Sequence, residues 1–150
     1  GFSGLIVALR KQPGPLTGVQ KFRLQVLLAL AFGALFLSFL PDLLRALDVS
    51  ESRILQSGNA SLVVYTLVFW SWLTLRSLRV YDQAPEIINW FAFARMSAGH
   101  FTVIAIQLWV LIWGRSDLAT GAYLLGLIWY LVHAAQQFCR MLFVQVAEDT

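Results

Sequence analysis

Four apolar runs, at residues 24–40, 59–75, 97–113 and 120–140, constrain this chain more than any other feature. A helix needs roughly 20 predominantly apolar residues to cross hydrocarbon. No water is present there to satisfy exposed backbone groups, so isolated segments can cross only as α-helices. The expectation is an all-α integral membrane helix bundle with four complete transmembrane helices, forming a single domain over residues 1–150. Composition agrees. The chain is 59% hydrophobic and 13% charged, with mean hydropathy +0.70, whereas soluble domains carry about 25% charged residues.

The intervening segments are read from their breakers and charges. Residues 1–9 (GFSGLIVAL) are apolar but span only roughly 14 Å as a helix. Arg10 and Lys11 follow this run instead of preceding it, the reverse of a signal peptide. It reads as the end of a truncated N-terminal helix. Residues 10–23 read as a basic loop broken by Pro13, Gly14 and Pro15. Pro41 is expected to kink or end the first complete helix, which can extend through Asp42 and Arg45 toward Asp48. Residues 49–57 read as a polar loop. Residues 86–95 read as a short interfacial segment with Trp90 at headgroup depth. Ala29 and Gly33, and Ala34 and Ser38, have the spacing that permits close helix approach.

Cation placement predicts orientation. Arg10, Lys11, Lys21, Arg23, Arg76, Arg79, Arg95 and Arg140 fall on one side, eight residues against Arg45, Arg53 and Arg115 on the other. The positive-inside rule makes the first side cytoplasmic and puts the C-terminus there. The net charge of +3 is spread between apolar runs, so no nucleic-acid partner is expected.

The last run changes character along its length. His133, Gln136, Gln137 and Arg140 follow an apolar stretch and are expected to share one helix face. If the last two helices form a hairpin centred near Ser116 and Asp117, residues whose numbers sum to about 233 lie level. His100 and His133 meet that condition, and Gln107 is on the face of His100 two turns away. His100, Gln107, His133, Gln136, Gln137 and Arg140 therefore form a candidate polar lining for a ligand or ion path. Polar groups at membrane depth need partners, so these residues also read as interhelical hydrogen bonding, with Arg140 and Arg95 reaching to headgroups. A third reading makes His100 and His133 axial ligands of a haem b.

Other chemistries are excluded by pattern. Cys139 is alone, which rules out an internal disulfide. Two histidines do not complete a zinc site. No phosphate loop, His-Glu-x-x-His pair or Gly-x-Ser-x-Gly elbow is present. Asp82 and Glu86 are separated by Pro85 and read as a solvated loop. The tryptophans at 70, 72, 90, 109, 113 and 129 fit bilayer boundaries better than a stack around a pigment or quinone.

The segments GFSGLIVAL, RLQVLLALAFGALFLSFLP and AYLLGLIWYLVHAAQQFCRMLF resemble those of a group of uncharacterised bacterial multi-pass integral membrane proteins. That resemblance implies a bacterial cytoplasmic membrane and a helix segment ahead of residue 1. It carries no assigned activity and no site residues. The leading functional expectation is a non-enzymatic accessory or assembly subunit without a cofactor. Its partners would be the lipid bilayer and either other membrane subunits or further copies of itself. The alternatives are a small transporter or channel-like protein using the His/Gln cluster, and a haem- or quinone-associated redox subunit.

Overall fold

The computed structural model describes residues 18–83, 90–114 and 116–148. Every regular element among them is helical: α1 (Gly18–Ala46), α2 (Glu51–Gln83), α3 (Trp90–Ile112) and α4 (Ser116–Glu148). All four are long and apolar enough to cross a membrane. The expected truncated helix at 1–9 lies outside the described residues.

The helices overrun the apolar stretches, for physical reasons. The basic loop was expected to reach Arg23, but α1 already begins at Gly18. Residues 51–57 were expected to be loop and are the first two turns of α2. The α1–α2 connection needs only four residues, and it is closed by capping. Val49 N–H donates to Leu44 O, and Asp48 N–H donates to Arg45 O, both at 3.1 Å. This pairing, with Asp48 at φ 56°, is a Schellman stop. The carbonyl of Ser50 then accepts the first bond of α2 from Ile54 N–H. Of the expected interfacial segment at 86–95, residues 90–95 are the opening turns of α3, and residues 86–89 lie outside the described residues.

The chain runs up and down through the bundle. Late α1 meets early α4 where the Tyr123 hydroxyl donates to Leu37 O. The two N-terminal ends of α2 and α4 meet at Asn59 and Ala119, and late α2 meets early α3 at Trp70 and Ser97. Both α1 and α3 pack against α2 and α4, and α2 also touches α4 across the middle. One end of the bundle therefore carries Lys21, Arg23, Arg76, Arg79, Arg95 and Arg140. The other carries Arg45 and Arg53. At that second end Arg45 bonds Asp42 at 2.7 Å and Glu51 at 2.9 Å, clipping α1 to α2. These are exposed pairs, so they add little stability.

Close approach of the helices rests on three glycines. A Cβ on Gly33 would lie 2.1 Å from the Tyr65 hydroxyl. One on Gly99 would lie 2.0 Å from the Trp129 ring, and one on Gly126 2.2 Å from Leu62. Each glycine seats a large side chain from a neighbouring helix. Pro41 sits inside α1 without ending it. The core along α1 is Val26, Leu27, Leu30, Ala34 and Leu37, at the spacing of one helix face. The opposite face, with Phe32, Leu35, Phe36, Phe39 and Leu43, is exposed.

Candidate functional site

Seven polar side chains are buried among the described residues. On α2, Asn59, Thr66 and Ser77 are buried on the same face as Leu62, Phe69 and Leu73. The spacing of these six positions is helical, a signal that could have identified Asn59 and Thr66 from sequence. On α3 the buried polar residues are His100 and Gln107, and on α4 they are His133 and Gln137. They divide into two groups along the bundle.

The first group lies toward the Arg45 end. Asn59 Nδ2 donates to Leu55 O at 2.7 Å and to Ala119 O at 3.2 Å. Gln107 Nε2 donates to Ala122 O at 2.6 Å. Both amide oxygens are buried without a protein partner. Asn59 also lines a cavity of about 40 Å³ with Ser52, Gln56 and Gly114. The sequence grouped Gln107 with the histidines. The structure instead ties it to the first turns of α4, because its side chain reaches down to Ala122 and not up to His133.

The second group is the histidine pair. His100 and His133 are both essentially fully buried. Their ring centres are 5.2 Å apart, with the planes at 70°, so the level expected from the hairpin is the one observed. His100 Nδ1 donates to Met96 O at 2.8 Å, since a carbonyl can only accept. His133 Nε2 is 3.2 Å from the Gln137 amide nitrogen, and Gln137 Nε2 also approaches Met96 Sδ at 3.8 Å. The remaining ring nitrogens, His100 Nε2 and His133 Nδ1, are buried without partners, as is Trp129 Nε1.

Aromatic rings wall this pair. Phe69 is 5.6 Å from His100 and 6.4 Å from His133 between ring centres. Trp129 is 5.8 Å from His100. Tyr130 is 6.1 Å from His100. Its hydroxyl donates to Thr66 Oγ1 at 2.6 Å, and Thr66 donates in turn to Leu62 O at 2.6 Å.

Gln136 and Arg140 do not join the pair. Both are exposed. The buried stripe of α4 runs through Tyr123, Leu127, Tyr130, His133, Ala134 and Gln137. Gln136 is turned off that stripe, and Arg140 lies at its edge near the bundle end.

The haem reading does not fit this geometry. Imidazoles trans to one another on a single iron, at metal–nitrogen distances near 2.0 Å, would have ring centres roughly 6 Å apart with a macrocycle between them. Here the rings stand edge to face at 5.2 Å, with Phe69, Trp129 and Tyr130 packed around them. Among the described residues no group of three or more His, Cys, Asp or Glu could hold a metal ion.

No family model matches the chain, and neither a curated protein nor a solved structure does.

Proposed function

We infer that this chain is an integral, multi-pass protein of a bacterial cytoplasmic membrane, with its C-terminus in the cytoplasm. In this reading it works as a non-enzymatic accessory or assembly subunit. The observation that supports membrane residence is the wide exposure of large apolar side chains together with full burial of some polar ones. Phe36 is 68% exposed and Phe91 79%, while Asn59 and His100 are 0% exposed. That distribution suits lipid as solvent, where apolar faces cost nothing and polar groups need internal partners. The bias of cations toward one end supports the orientation.

The subunit role rests on how the interior is used. The buried donors of Asn59, Gln107, Tyr123 and Tyr130, and the half-buried Tyr65 hydroxyl, are tied to other helices. The cavity beside Asn59, at about 40 Å³, is far below the roughly 300–1,000 Å³ of organic-ligand pockets. Native gel electrophoresis of mildly solubilised membranes tests the role. The chain is expected to migrate in an assembly larger than itself, with a second subunit or further copies. Migration as a lone chain counts against it.

A second reading, a small transporter or channel-like protein, is favoured by the order of buried polar groups along the core. Asn59, Gln107, Thr66 with Tyr130, the histidines and Gln137 succeed one another from the Arg45 end to the Arg140 end. Flux across proteoliposomes containing the purified chain, compared with empty vesicles, separates the two readings.

A further inference from the structure

We propose that the seam between α1 and α2 binds an anionic phospholipid at the Arg76 end of the bundle. Lys21, Arg76 and Arg79 hold its phosphate, and an acyl chain lies along the outer side of the same two helices. The proposal rests on the membrane residence inferred above, but not on orientation or on the subunit role. Two contacts fix how α1 and α2 lie side by side. The Tyr65 hydroxyl on α2 donates to Ala29 O on α1, and the Tyr65 ring is seated at Gly33. The two helices are antiparallel, so residues whose numbers sum to about 96 lie level. Lys21 and Arg76 meet that condition.

Helical spacing puts the arginines on the seam. Trp72, Arg76 and Arg79 follow Tyr65 at i+7, i+11 and i+14, the spacing of one helix face. Tyr65 reaches α1, so this face borders α1. Trp72 packs partly buried against the core, and beyond it Arg76, Arg79 and, from α1, Lys21 are exposed. The mouth of the seam is open, since a Cβ on Gly18 would meet nothing within 4 Å.

Charge and surface choose the occupant. At the opposite end Arg45 is matched by Asp42 and Glu51. Asp82, one turn beyond Arg79 on α2, offsets at most one of the three cations at the seam. Cations gathered at one depth repel one another, and a phosphate among them removes that repulsion. Arg also matches phosphate geometry through paired N–H donors. Toward the bilayer centre the outer side of the seam is apolar. Leu75 and Val68 precede Arg79 by four and eleven residues, on its face, and Phe32 follows Lys21 by eleven on α1. All three are exposed. An anionic headgroup joined to an acyl chain fits both halves of this surface, whereas free phosphate fits only the first.

Native mass spectrometry of the full chain, released from detergent micelles with added phosphatidylglycerol or phosphatidylcholine, tests the proposal. The anionic lipid should bind more tightly than the zwitterionic one, and the preference should weaken with salt. Lys21→Gln, Arg76→Gln and Arg79→Gln change exposed positions and should stay folded by circular dichroism. Each should lose roughly fivefold in phosphatidylglycerol affinity, the effect of one Lys or Arg near an anionic surface. Arg140→Gln, at the same end but on α4, should keep the affinity of the unaltered chain. Inorganic phosphate should leave the lipid bound. Equal affinity for the two lipids, displacement by inorganic phosphate, or a loss in Arg140→Gln as large as in Arg76→Gln would overturn the site. A chain that never enters the membrane fraction fails the membrane reading itself, and this is seen before any lipid is added.

Discussion

The Tyr123 hydroxyl donates to the carbonyl of Leu37, the acceptor that Pro41 leaves without its usual donor. In an α-helix the carbonyl of residue 37 bonds the N–H of residue 41, and proline has none. Helix α1 nevertheless continues to Ala46. A tyrosine from α4 supplies the missing donor across the bundle.

Tyr123→Phe should therefore destabilise the protein by about 1–2 kcal/mol, toward the upper end of interhelical bonds in membranes. In a Pro41→Ala background the backbone N–H returns, so the same substitution should cost less. A double-mutant cycle from reversible unfolding in bicelles measures that coupling. Additive losses would show that Tyr123 and Pro41 act separately.

The glycine contacts make a graded series. Gly33→Ala and Gly99→Ala each drive a methyl into a ring of the facing helix, and overpacking of this kind costs about 1–3 kcal/mol. Gly121 is helical with nothing within 4 Å of an added Cβ. Gly121→Ala should be neutral or stabilising by about 0.5–1 kcal/mol. Thermal stability in detergent orders the three variants. Equal effects would refute the assignment of Gly33 and Gly99 as seats for Tyr65 and Trp129.

Helix centres were legible from apolar runs, whereas helix ends were not, because they depend on capping and not on hydrophobicity. Residues 51–57 are polar enough to read as loop. The Schellman stop at Asp48 and the bond from Ile54 N–H to Ser50 O nevertheless close the turn within four residues. The level pairing of His100 with His133 followed from hairpin arithmetic, since helix rise is fixed. The roles of Gln136 and Gln137 did not, because choosing between adjacent residues requires knowing where the buried stripe is centred. That stripe is set by Tyr130 and Tyr123, which reach across to Thr66 and Leu37. Tyrosines in an apolar run carry no sign of whether their hydroxyls point inward.

Asp48 occupies the left-handed region at φ 56°, where glycine is at ease and other residues pay roughly 1–2 kcal/mol, less for Asp. Asp48→Gly should stabilise the α1–α2 turn by about 0.5–1 kcal/mol. At the α3 stop the sign reverses. Gly114 has φ 60° with open space around it, so Gly114→Ala should lose stability through backbone strain alone. Unfolding measurements on both variants check the pair, and like signs would contradict it.

The proposed orientation rests on the cations at the two ends of the bundle. Lys21, Arg76, Arg79, Arg95 and Arg140 are exposed at one end, and Arg45 and Arg53 at the other. Lys and Arg bias short loops toward the cytoplasm. Single cysteines introduced into a Cys139→Ala background, probed on intact cells with a membrane-impermeant maleimide, should label at Ser52 and Ser116. They should fail to label at Gln83 until the cells are opened. Ser52 and Gln83 lie at the two ends of α2 and Ser116 at the start of α4, which runs in the same direction, so Ser52 and Ser116 must label alike. Labelling at Gln83 alone would invert the bundle and put the Arg45 end, with the cavity at Asn59, in the cytoplasm.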